Sequence, residues 1–113
     1  MDAARHTSAL LQKAKRRIEE ELKQAGLRPL AVYLFGSRAR REARPDSDWD
    51  FLVVVDQMPP GPERRRITAR LVVSLALAGV PADIILLSQS YFQRYRDDVG
   101  HIAYYAVREG YAI

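Results

Sequence analysis

Residues 30–55 read LAVYLFGSRARREARPDSDWDFLVVV, two apolar runs held apart by a short, arginine-rich, polar segment. The first run, Leu30-Ala31-Val32-Tyr33-Leu34-Phe35, follows Pro29 and has the compactness of a buried strand. The second, Trp49-Asp50-Phe51-Leu52-Val53-Val54-Val55, ends in a β-branched run without polar alternation, which predicts burial on both faces, as in a central strand. Gly36-Ser37 opens the intervening segment, which reads as one or two helical turns ending near Pro45. So short a connection predicts that the two strands pair antiparallel.

Working outward, Leu11, Ala14, Ile18, Leu22 and Ala25 recur every three or four residues and predict a helix over about 8–25, capped by Thr7 or Ser8 and closed by Gly26. Downstream, Met58-Pro59-Pro60-Gly61-Pro62 reads as a loop. Ile67, Leu71, Leu75 and Ala78 return to helical spacing, with Gly79 as the C-terminal cap. Asp83-Ile84-Ile85-Leu86-Leu87 is a third strand, and a helix between the second and third implies a parallel, right-handed crossover. Ser90 with Gln93 resembles a capping box, a last helix is expected over about 99–108 up to Gly110, and Tyr111-Ala112-Ile113 adds a short edge strand. The predicted class is α/β (α+β), a small mixed sheet of three or four strands flanked by helices.

With 113 residues and no internal repeat, one domain over 1–113 is expected. Cysteine is absent, which removes disulfides, thiolate zinc sites and cysteine nucleophiles. The formal charge is +4, and 15 of the 18 basic residues are arginine, which favours an anionic partner such as phosphate but is also the mark of a GC-rich genome. Leu71 to Val80, ten residues interrupted by a serine, is too short to span a membrane, and charges break every apolar stretch near the N-terminus. A soluble, cytoplasmic protein is therefore expected.

Gly36-Ser37 is followed by ten residues and then by Asp48-Trp49-Asp50. Residues i and i+2 of a strand share a face, so Asp48 and Asp50 present their carboxylates together while Trp49 turns away. Two such acids repel each other unless a cation intervenes, and magnesium suits hard oxygen ligands completed by a triphosphate. Taken alone, Asp-x-Asp is equally an exposed strand end with solvated acids. Gly36 at the end of a buried strand allows close approach of a ligand or a positive φ, and Ser37 is placed to cap a helix whose free N–H groups favour an anion. Arg40 and Arg41, three and four residues on, put at least one guanidinium on the side of Ser37. Gly-Ser alone is also an ordinary strand-to-helix turn. The predicted topology brings Asp48, Asp50 and Asp83 to one end of the sheet with Gly36-Ser37, although Asp83 after Pro81 is also readable as a turn acid.

At these residues the chain resembles the minimal nucleotidyltransferases (MNT) of the DNA polymerase β-like superfamily, whose signature of Gly-Ser, ten residues and Asp-x-Asp reads here GSRARREARPDSDWD. Leu-Phe-Gly-Ser-Arg-Ala-Arg, Arg-Pro-Asp-Ser-Asp, Val-Pro-Ala-Asp-Ile-Ile and the closing Val-Arg-Glu-Gly also fit the family. Two departures stand out: Arg41 where such proteins often have glycine, and Trp49 where an aliphatic is usual. The resemblance implies a polymerase β-like nucleotidyltransferase fold and transfer of AMP from ATP to a hydroxyl. It implies that Asp48, Asp50 and Asp83 are the catalytic residues and hold two Mg²⁺ ions, while Gly36, Ser37 and Arg40 bind the nucleotide. The family further implies an antitoxin whose acceptor is a tyrosine of a partner HEPN toxin, an external acceptor being expected in so short a chain. Two other readings stay open: an antitoxin that neutralises its toxin by binding alone, and transfer to a small molecule such as an aminoglycoside.

Weaker signals remain. Arg96-x4-His101 matches the degenerate Arg-x4-6-His pattern of HEPN ribonucleases, but those domains are all-helical, so the match is read as coincidence. His6 and His101 lack a third ligand and make a poor metal site. Arg64-Arg65-Arg66 reads as a solvated helix face or a grip on RNA or an acidic partner; overall, nucleic acid is not the expected partner. Five of the six tyrosines lie in the last 23 residues with Phe92, some for packing and the rest candidates for an interface with another copy or another chain.

Overall fold

The computed structural model describes the backbone from Asp2 and side chains from Ser8 onward. In chain order it forms α1 (Asp2–Gln24), β1 (Pro29–Phe35), α2 (Gly36–Ala39), β2 (Trp49–Val55), α3 (Gly61–Leu77), β3 (Ala82–Ser88), α4 (Gln89–Tyr95), α5 (Ile102–Arg108) and β4 (Tyr111–Ala112). The four strands make one mixed sheet in the order β3-β2-β1-β4. β1 pairs antiparallel with β2 and with β4, and β2 pairs parallel with β3, the pairings that the short first connection and the helical crossover predict. β2 is an inner strand and six of its seven residues are buried, in keeping with its unbroken apolar run.

Alternation along the strands divides the interior into two layers. Trp49, Phe51, Val53 and Val55 of β2 pack with Leu11, Ala14, Ile18 and Leu22 of α1 and with Ile67, Leu71 and Leu75 of α3. Leu52 and Val54 face the other way, onto Leu87, Phe92, Ala103 and Ala106 under α4 and α5. The periodic apolar positions of α1 and α3 are the ones buried, which confirms the helical spacing.

Several boundaries differ from expectation, each for a local reason. α1 extends back to Asp2, so Thr7 and Ser8 lie inside it and do not cap it; the side chain of His6 lies outside the described residues. α3 begins at Gly61, inside the stretch expected to be loop, with Pro60 as N-cap and Pro62 in the first turn, where a missing N–H costs no hydrogen bond. The cap of α4 is Ser88, whose hydroxyl accepts from the N–H of Tyr91 at 3.3 Å, rather than Ser90. α5 starts at Ile102, not near Val99, because His101 caps it by accepting from the N–H of Ala103 through Nδ1 at 3.1 Å. No helix among the described residues is long and apolar enough to cross a membrane.

Candidate active site

The strand registers bring the signature residues together. Phe35, the last residue of β1, lies opposite Asp50, and Asp50 lies opposite Asp83 in the parallel β2–β3 pair. Ala82, Ile84 and Leu86 join the layer under α1 and α3, while Ile85 and Leu87 join the other, so alternation sets Asp83 on the α4/α5 side of the sheet. Asp50 shares that side with Leu52 and Val54. Asp48 immediately precedes β2, two residues from Asp50. Asp48 and Asp83 are exposed, whereas Asp50 is half-buried.

Gly36 explains the glycine of the motif on two counts. Its φ is +75°, in the left-handed region, and a Cβ built on it would fall on Oδ2 of Asp50 and 3.1 Å from its Cγ. The backbone at the start of α2 therefore lies directly against the carboxylate of Asp50. Burial raises the pKa of the Asp50 carboxyl above its ordinary value; the charges of Asp83 and then Asp48 raise it further, and Arg40 opposes them. Among the described residues none of the three acids forms an ion pair.

Such a site accumulates negative charge and leaves it uncompensated. Its carboxylate oxygens are hard donors that suit magnesium, which takes its remaining ligands from water or phosphate. Among the described residues no group of three His, Asp or Glu side chains is arranged to hold a metal by itself, so a cation here needs oxygens brought by a bound ligand. The donor chemistry and the raised Asp50 carboxyl both fit that requirement.

The loop between the two motifs differs from expectation. Ser37 is not a cap: Phe35 occupies the N-cap position without a side-chain bond, and Gly36 and Ser37 fall in the first turn of α2. That turn still presents N–H groups with no acceptor within the helix. Arg40 lies near enough to Asp50 to lower its pKa, yet its guanidinium bonds Glu42 at 3.2 Å and Glu109 at 3.4 Å. Arg41 has φ +60°, a left-handed conformation that explains why glycine is often found at this place, and it does not stand with Ser37 but lines a groove beside α1.

Two residues escaped the sequence reading. Arg38 donates through Nη2 to the carbonyls of Ser47 at 2.7 Å and Pro45 at 3.2 Å and stacks on Trp49 at 4.4 Å, pinning the loop that delivers Asp48. Its acceptors are backbone carbonyls, which leave no mark in a sequence. Trp49 is only 7% exposed, so its replacement of an aliphatic residue gives the Arg38 guanidinium a ring to lie on. Glu109, at the end of α5, reaches Arg40 from 69 residues away. Gly110 makes this approach possible, because a Cβ there would meet the carbonyls of Leu34 and Ala106. The Glu-Gly pair that closes the last helix was the visible signal. Arg96 and His101 have structural work: Arg96 lies 5.3 Å from the Phe92 ring, and His101 caps α5 while its Nε2 bonds the Tyr91 hydroxyl at 3.1 Å.

No curated protein and no solved structure matches the chain significantly. The family model described as nucleotidyltransferase domain matches residues 15–105, a span that contains α2, the Asp48-Asp50 pair and Asp83. With most of the chain matched, and the Gly-Ser turn and three acids gathered at one end of a mixed sheet, the chain belongs to the nucleotidyltransferase domain family.

Proposed function

We propose that this nucleotidyltransferase transfers AMP from ATP to a hydroxyl of a partner protein, in the manner of an MNT antitoxin modifying a tyrosine of a HEPN toxin. The observation that carries the reading is the register Phe35–Asp50–Asp83, which sets a first-turn backbone against one carboxylate and a second carboxylate beside it. Asp48, Asp50 and Asp83 are assigned to two Mg²⁺ ions, which when bound supply charge neutralisation for the attacking and leaving oxygens. The N–H groups of the first turn of α2 and the Ser37 hydroxyl bind the β- and γ-phosphates, and Arg40 turns to them from Glu42 and Glu109.

The bond formed joins the acceptor oxygen to the α-phosphorus. The bond broken joins that phosphorus to the bridging oxygen, and pyrophosphate leaves with the electron pair. Asp83, exposed at the rim of the site, takes the proton of the acceptor hydroxyl. No protein nucleophile is needed, since positioning and charge carry the reaction.

The test incubates the protein with ATP, Mg²⁺ and its co-purified partner and weighs the partner by intact mass spectrometry. A mass increase of one or more AMP units is expected, absent with Asp48→Asn protein that melts as the parent does. Tight association with no mass change would establish neutralisation by binding alone, and transfer retained by Asp48→Asn would remove the assignment of the acids.

A further inference from the structure

On the opposite side of the sheet from the acids, a groove of about 1040 Å³ runs between α1, the loop after α2 and β4. Tyr111 and Ile113 contribute the accessible apolar surface, the buried Leu11 and Trp49 close the floor, and Lys15, Arg38 and Arg41 bring three cations. No acidic residue is among the described residues that line it. Lys15 and Arg41 form no ion pair among the described residues, and Nε of Arg38 is buried without a hydrogen-bond partner. A lining of one charge sign without counter-charge is complementary to an anion.

Arg41 sharpens the point. It holds a left-handed backbone conformation that glycine would adopt without strain, yet it carries a long cationic side chain into the lining of the groove. The edge of the groove is a strand edge. β4 is the last strand of the sheet, and Ile113 donates its N–H inward to the carbonyl of Val32, so alternation turns the N–H and C=O of Ala112 outward. An extended peptide can pair with those groups.

We propose that this groove docks an extended, acidic segment of a partner protein. Carboxylates of that segment meet Lys15 and Arg41, its apolar side chains lie over Tyr111 and Ile113, and its backbone continues the sheet beyond β4. A peptide fits these features better than a nucleic acid. Trp49 is buried beneath Arg38 and offers no free face, which leaves the exposed Tyr111 as a single ring where single-strand binders stack successive bases on several, whereas Ala112 offers backbone partners that only a peptide strand matches. The docking does not depend on AMP transfer. A segment bound there touches Arg38 and Arg41, in the same loop that leads to Asp48, so occupancy is felt at the active site.

The test measures fluorescence anisotropy of the full chain with a labelled short peptide of alternating glutamate and valine. Binding is expected, weakened by about tenfold or more in K15E/R41E and by several-fold in Arg41→Gly, which keeps the left-handed turn. Asp48→Asn protein is expected to bind the peptide as the parent does, which separates this proposal from the assignment of the active site. Undiminished binding by K15E/R41E overturns it. So does a lysine–valine peptide that binds equally well, or an oligouridylate of matched charge that binds more tightly and loses affinity in the same variants.

Discussion

One loop, residues 36–48, borders two regions of opposite charge. On one side, Asp48, Asp50 and Asp83 gather without an ion pair among the described residues; on the other, Lys15, Arg38 and Arg41 line a groove that has no acid among its described residues. The two regions differ in how their charge is held. Asp50 and Asp83 are fixed by strand register, with Asp50 half-buried against the backbone of Gly36 and Asp48 only one residue before β2, so their repulsion is not readily relieved by moving apart. Lys15 and Arg41 sit on long side chains whose charge remains in reach of water. Crowded, half-buried charge of this kind is expected at a site that works on a cation-bound ligand, whereas mobile charge suits an interface.

The largest expected effect separates the two regions directly. Asp83→Asn should lower nucleotidyl transfer by about 10³-fold or more, the scale of losing a principal charge-stabilising group. With the partner saturating, so that weakened docking does not limit the rate, K15E/R41E should leave transfer from ATP within about threefold, since Lys15 and Arg41 line a groove on the other side of the sheet from the acids. Steady-state transfer measured on both proteins checks the contrast; an equal loss in the two would merge them into one site. Next in size is Gly36→Ala, which forces a left-handed φ on alanine and drives its Cβ into Asp50. It should cost roughly 2 kcal/mol or more in urea unfolding and abolish transfer as well, because the acid must move.

Asp50→Asn should act in opposite directions on stability and on activity. Its carboxyl is raised by burial and by Asp83 and Asp48, so the folded chain holds that proton more tightly than the unfolded chain. The group therefore favours the fold while protonated, at and below its ordinary value of 3.8, and that contribution is lost as pH rises through the raised value. Asparagine escapes the loss. At neutral pH and without divalent cation the variant should be more stable by about 0.5–1 kcal/mol, the common return on neutralising a strained functional group, while transfer is lost. Thermal melts at pH 4 and pH 7 check the sign: the advantage of the variant should grow with pH and shrink when Mg²⁺ and ATP are added to both.

How much of this was legible follows from where each interaction is encoded. The apolar stripes of α1 and α3 and the run of β2 are local patterns, and the set they name is buried apart from Ala25, which lies beyond the end of α1 and is only partly covered, and Asp50, which is half-buried. The meeting of Phe35, Asp50 and Asp83 followed from topology, since a short antiparallel link and a parallel crossover leave one end of the sheet common to all three. What stayed hidden was interaction with backbone atoms: the grip of Arg38 on the carbonyls of Pro45 and Ser47, and the first-turn position of Ser37, both of which depend on the course of the loop. The Glu109–Arg40 pair joins residues 69 apart and could not be read from spacing. Cap positions shifted because a polar side chain near the expected one competes for the same N–H groups: Ser88, two residues before Ser90, at α4, and His101, two residues after Val99, at α5.

That hidden pair gives the smallest effect and a directed one. Arg40 is exposed and its bonds to Glu42 and Glu109 are an ordinary surface ion pair, of the kind that contributes well under about 1 kcal/mol to stability. Glu109→Gln should therefore barely alter the melting temperature. It should nevertheless change nucleotide affinity, because an arginine that turns to a triphosphate must first give up its carboxylates, and the cost of leaving Glu109 is part of the cost of binding. With that carboxylate neutralised, ATP should bind about two to five times more tightly in a calorimetric titration. Glu42→Gln should behave similarly, since its carboxylate holds the same guanidinium. Weaker binding in Glu109→Gln would mean that Glu109 holds Arg40 in its working orientation, and the released form of the arginine would then be the unproductive one.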